Sequence, residues 1–290
     1  MPNATMLVLA SVFKHLRRAA VAGSWYPSDS DTLAREIDRY LEAAGTPPAG
    51  EPLAIIAPHA GLMYSGPVAA HAYNLLRGKV VDVAVLVGPS HFVGFEGVAI
   101  YERGAFETPF GNVPIDEDCA AAIAVASRRV RPHPIAHVRE HSLEMQLPFL
   151  KRVLPDIAIV PLVMGHQRRE TASELGAAVA TAVKGRRAVL VASTDLSHYQ
   201  NAAVAAKLDG KVIQEVRRFD ADGLMSLLEQ FPSHACGGGP TVSVMHAVRQ
   251  LGARDARVLR YGDSGDVSGD KDAVVGYLAA AFGTFVPEGV

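Results

Sequence analysis

Two histidines stand where an apolar run breaks into a turn: His59 in Ile55-Ile56-Ala57-Pro58-His59-Ala60-Gly61, and His91 in Val85-Leu86-Val87-Gly88-Pro89-Ser90-His91. Imidazole nitrogen is the commonest metal-ligating group in proteins, and the same ring serves as a proton carrier near neutrality. The repeated order of apolar run, proline and histidine points to one shared site. Cys236 is a third reactive group, in His234-Ala235-Cys236-Gly237-Gly238-Gly239-Pro240. It precedes a helix expected to start near Pro240, whose free N–H groups and positive dipole end favour a thiolate. A thiolate either binds metal or attacks an electrophile, and both roles are open at this point. Cys119, in an alanine-rich stretch, has the surroundings of a small buried hydrophobe.

Two further segments carry titratable groups. In Ser193-Thr194-Asp195-Leu196-Ser197-His198-Tyr199, at the end of another apolar run, Asp195 and His198 are spaced to face the same crevice, with the carboxylate orienting or charging the imidazole. General base is the role that this pairing suggests for His198. In Glu140-His141-Ser142-Leu143-Glu144 the two carboxylates and His141 fall within one turn of an expected helix, which puts Glu140 and Glu144 on one face. Metalloprotease helices need two histidines four apart, and this segment lacks them. Its expected part is a hydrogen-bonding shell around the site.

These groups need elements to hold them. Apolar runs at 53–57, 81–87, 157–163 and 188–192 read as strands buried on both faces. They alternate with helical patterns at 31–44, 67–76, 116–129, 141–154, 169–183, 204–219, 221–230 and 240–251, several opened by Asp or Pro. That alternation predicts an α/β fold, a single domain with a central, mostly parallel sheet flanked by helices. In such sheets the residues just past the carboxyl ends of the strands line the ligand crevice. Residues 98–101 and 106–113 read as a β-ribbon, 257–261 as a strand, and 273–282 as either strand or helix. Met6–Phe13 reads as a short strand or a frayed start, too short to span a bilayer and without the charge order of a signal peptide.

Lysine and arginine number 28 against 30 acidic residues, a balance that argues against a general nucleic-acid or anionic-membrane binder. Two cysteines are too few for a disulfide framework, and a cytoplasmic location is expected.

Taken in order, Gly23-Ser24-Trp25-Tyr26-Pro27, Pro58-His59-Ala60-Gly61, Gly88-Pro89-Ser90-His91, Glu140-His141-Ser142-Leu143-Glu144, Ser193-Thr194-Asp195-Leu196-Ser197-His198 and Cys236-Gly237 resemble the Memo family, from about Arg18 to Phe282. The resemblance implies a fold akin to the class III extradiol dioxygenases, which use non-heme Fe(II) and molecular oxygen to open catechol rings. It implies His59, His91 and Cys236 as metal ligands, with Asp195, His141 and His198 around the pocket and His198 as the acid/base group. The dioxygenases have a carboxylate in place of Cys236; a thiolate is softer and brings Cu or Zn into competition with Fe(II). The leading expectation is therefore a mononuclear iron oxidoreductase, a dioxygenase of small aromatic or chelating substrates. Two alternatives stand beside it: a non-enzymatic iron- or copper-binding redox or partner-binding protein, and a hydrolase using zinc or a Cys236 nucleophile. By family association the implied partners are a radical-SAM protein and an AMMECR-type protein.

Overall fold

The computed structural model describes residues 15–287; the expected start at Met6–Phe13 lies outside the described residues. Four strands form the centre: β2 (Gly50–Ala57), β3 (Val83–Pro89), β8 (Ala158–Met164) and β9 (Ala188–Ser193), all parallel, in the order β2-β9-β3-β8. Each is an apolar run with both faces covered, as a parallel sheet requires. Antiparallel strands extend both edges. Beside β2 comes β12 (Val274–Phe285), which pairs in turn with β10 (Asp195–Gln200) and β11 (Asp255–Asp263). Beside β8 comes β4 (Val98–Ile100), followed by β7 (Val130–Pro132). A small second sheet joins β1 (Leu16–Arg17), β5 (Ala105–Phe106) and β6 (Val113–Pro114).

The fold is thus α/β with a parallel centre, and the ambiguous alanine-rich end of the chain is a strand. Ala279, Ala280 and Ala281 are fully buried there, small enough for β12 to lie between β2 and β11 under a helical layer. One helical group, Arg169–Val183 and Gly238–Gln250, packs over β9 and β3; another, Ser30–Ala43, Leu62–Asn74 and Leu147–Val153, gathers against β2 and β12.

Two helix starts depart from expectation by more than two residues. The helix expected from Pro67 begins five residues earlier, at Leu62, and carries Pro67 inside it. The helix expected over 141–154 is confined to Leu147–Val153, preceded by a 3₁₀ turn at Glu144–Gln146. Pro148 has no N–H to bond the Glu144 carbonyl, so an α-helix cannot run unbroken through that turn. Glu140 and Glu144 therefore share no helix face.

Candidate metal centre

The parallel strands end at one edge of the sheet, with Ala57 beside Ser193 and Pro89 beside Met164. His59 and His91 leave β2 and β3 at that edge, and Cys236 arrives from the turn before the helix Gly238–Gln250. Their ligand atoms lie within 4.8 Å of one another, a grouping that can hold a metal ion. His59 is buried, Cys236 half-buried, and the His91 side chain 27% exposed, so the centre opens on the His91 side.

Hydrogen bonding fixes which nitrogen each imidazole offers. Ser193 Oγ lies 2.8 Å from His59 Nδ1. The serine hydroxyl already donates to the Ser142 carbonyl at 2.7 Å and accepts from Gln146 Nε2 at 2.8 Å. Its single proton is committed, so His59 Nδ1 must donate, which leaves Nε2 with a free lone pair. Burial, then the neighbouring His91, holds His59 far below its ordinary pKa and keeps the ring neutral. Likewise His91 Nδ1 donates to Glu140 Oε1 at 2.8 Å, and its backbone N–H to Glu140 Oε2 at 2.6 Å. Burial alone would raise the Glu140 carboxyl, but the hydrogen bonds and charge from His91, with the Ser142 N–H, bring it down to about 2. Both rings are thus held by Nδ1 with Nε2 directed away, the orientation that anchoring partners impose on metal-bound histidine.

Cys236 Sγ lies 3.3 Å from His59 Nε2 and accepts the Asp195 backbone N–H at 3.2 Å. With Nε2 unprotonated, the thiol can donate to it, as it can to the Asp195 carbonyl at 3.6 Å, and a cation can take the place of that proton. The expected thiolate does not form unaided: burial, then the Asp195 carboxylate, pushes the thiol up. The helix start gives it little help because its N–H groups have other partners, Gly237 on Thr194 Oγ1 at 2.9 Å and Gly239 on Gln167 Oε1 at 2.7 Å.

Asp195 begins β10, and its Oδ1 accepts the His59 backbone N–H at 2.8 Å, pinning the histidine's own loop. Among the described residues no hydrogen bond joins it to His198, as the spacing had suggested. Bulges interrupt β10 on both sides of His198, and Tyr199 beyond it adopts φ 60°. His198 is half-buried, near enough for its charge to act on His59 and Asp195. His141 stacks on His91 at 4.4 Å and meets the Trp25 ring at 4.3 Å with the planes tilted by 53°, and burial, with His59 and His91, brings its pKa down to about 4. It also forms a second possible ligand group with His91 and Glu140. That alternative uses the carboxylate that already holds His91.

The chain matches a family model described as Memo-like protein over residues 17–281. It belongs to the Memo-like family. A MEMO1 family protein of Methanothermobacter thermautotrophicus is 40% identical over 272 residues, covering 90% of this chain and 98% of the relative. A MEMO1 family protein of Pyrobaculum aerophilum is 39% identical over 277 residues, covering 92% and 99%. Among solved structures, the crystal structure of an uncharacterized protein from Escherichia coli K12 aligns with a TM-score of 0.53 at 15% identity, over 81% of this chain and 100% of that one. At that identity the likeness concerns the fold alone.

In this Memo-like chain, the two expected shell carboxylates part company. Glu140 anchors His91, whereas Glu144 points away from the centre to a buried ion pair with Arg17, the N–H groups of Ala20 and Val21, and the Tyr26 hydroxyl. It ties down the segment that carries Trp25. Ser193, Ser142, Gln146 and Tyr73, whose hydroxyl donates to Gln146 Oε1 at 2.6 Å, form the buried chain behind His59. Sequence reasoning gave them no role. The available signal was a polar residue inside an apolar run: Gln146 between Met145 and Leu147, and Ser193 closing Val-Leu-Val-Ala. No helix of the described residues is long and apolar enough to cross a membrane.

Proposed function

We propose that the chain is a mononuclear metal-dependent oxidoreductase in which His59, His91 and Cys236 hold a non-heme Fe(II) ion, and that it uses molecular oxygen on a small, chelating, catechol-like substrate. The observation that carries this reading is the pair of imidazoles held by Nδ1, each with Nε2 free, beside the Cys236 sulfur. Such a donor set fits a ferrous ion, which when bound would supply one-electron chemistry and open positions for a chelating substrate and oxygen. The chain's own residues do the rest. Ser193 and Glu140 orient the ligands, while His141, flanked by Trp25 and Phe92, packs its ring along one side of the centre. His198, half-buried beside the centre, is the group that exchanges a proton with the substrate hydroxyl.

A second reading, a non-enzymatic copper or iron holder with a redox or partner-binding role, draws on the same sulfur, because thiolate selects soft ions such as Cu(I). A zinc hydrolase would use the same three ligands. A Cys236 nucleophile is disfavoured because burial raises the thiol where a nucleophile needs it lowered. The radical-SAM and AMMECR-type partners belong to the proposal as well, and co-purification from the native source tests them.

Anaerobic purification with metal analysis tests the central claim. We expect stoichiometric iron, lost in His59→Ala and Cys236→Ser; a protein that takes up neither iron, copper nor zinc overturns it. Oxygen uptake with a panel of catechols, dependent on Fe(II) and lost in His198→Ala, tests the dioxygenase step. No uptake across the panel overturns that step and leaves metal binding standing.

A further inference from the structure

Beside the centre lies a cleft of about 630 Å³, walled by the Gly23–Pro27 turn and the first turn of the helix Leu62–Asn74. That size suits a small organic molecule. Trp25 connects it to the centre, since its indole lines the cleft and packs against the His141 ring at 4.3 Å, and Gly61 in the same wall follows His59 by two residues. The walls are aromatic and soft: Trp25, Tyr26, Tyr64 and Met63. Trp25 is 38% exposed and Met63 51% exposed, large apolar groups left open in a concave surface where a ligand would cover them.

One charge completes the lining. Glu36, on the helix Ser30–Ala43, is the only charged side chain among the described residues that line the cleft, and its Oε1 is steadied by the Tyr40 hydroxyl at 2.8 Å. A carboxylate set among aromatic rings is the arrangement that attracts an organic ammonium ion, through charge and through the negative faces of the rings. An anionic ligand would meet the carboxylate with no lysine or arginine in the lining to offset it.

We propose that this cleft is a binding site for an organic ammonium ion on an aromatic skeleton, the ammonium facing Glu36 and the ring lying against Trp25 and Met63. If the oxidoreductase reading holds, and only for this step does the inference rest on it, the preferred substrate is an aromatic chelator bearing a protonated amine.

Trp25 is the chain's only tryptophan, so its fluorescence reports directly on the cleft. The metal-free full chain is titrated with phenethylamine and with phenylacetate, which share a ring and differ in charge. We expect saturable quenching with the amine about tenfold tighter than the acid. In Glu36→Gln, which keeps an acceptor for Tyr40, the ratio should fall to near one with an unchanged circular dichroism spectrum. Equal or tighter binding of phenylacetate, no saturation by phenethylamine, or a preference that survives Glu36→Gln would overturn the proposal. Oxygen uptake by iron-loaded protein with an aminoethyl catechol separates the two readings. Amine binding without uptake removes the oxidoreductase and keeps the cleft, and uptake without amine preference does the reverse.

Discussion

At the scale of single residues, the centre depends on where protons sit. Ser193 contributes no ligand atom, yet its committed hydroxyl forces His59 to donate from Nδ1. Ser193→Ala frees the ring to take the other tautomer, and metal affinity measured by chelator competition should fall about 10- to 100-fold while the fold persists. Cys236 imposes the complementary proton cost. Because burial raises its thiol, binding must expel a proton. Affinity should therefore rise with pH about tenfold per unit through the neutral range, and Cys236→Ser should flatten that slope; a pH-independent affinity would show the sulfur to be unligated. The three residues that gather here were legible because two histidines follow buried strands after a proline and a lone cysteine sits in a glycine-rich turn before a helix. The serine and glutamine behind them were not, since a buried hydroxyl or amide acquires a role only from partners distant in the chain.

At the scale of elements, the segment from Leu16 to Pro27 lacks long secondary structure, and Glu144 holds it in its place. That carboxylate and Arg17 are both buried, and the carboxylate also accepts two backbone N–H groups and the Tyr26 hydroxyl. Glu144→Gln leaves the Arg17 charge buried without its counterion, and we expect a loss of about 3–5 kcal/mol in urea unfolding. Loosening of the Trp25 turn should appear first as a red shift in tryptophan emission. The four central strands were legible from their unbroken apolar runs, as double burial demands. The segment around 141–146 was not, because its spacing suits a helix and only Pro148 marks the interruption; with the helix gone, Glu140 and Glu144 serve different ends.

At the scale of the whole molecule, three of the four histidines buried among the described residues, His59, His137 and His141, are held neutral well below their ordinary pKa. Burial is the leading cause in each: His137 falls to about 3, His141 to about 4, and His59 lower than its ordinary 6.5 by a wide margin. In the unfolded chain all three take up protons near 6.5, so folding excludes those protons. The stability they contribute is full above that value and is lost as pH falls below it, by up to about 1.4 kcal/mol per histidine per unit. Glu140 acts in the same direction further down, between 4.5 and about 2. The urea midpoint of metal-free protein should therefore drop between about pH 7.5 and about pH 5, and a constant midpoint would refute the neutral assignment. Sheet topology adds a consequence in time. Cys236 meets His59 across 177 residues of chain, and only after β2, β3 and β9 have paired do their loops converge. An ion bound there is a latecomer to folding and a brake on its reversal: refolding rates with and without metal should coincide, while unfolding slows by the full factor that binding contributes.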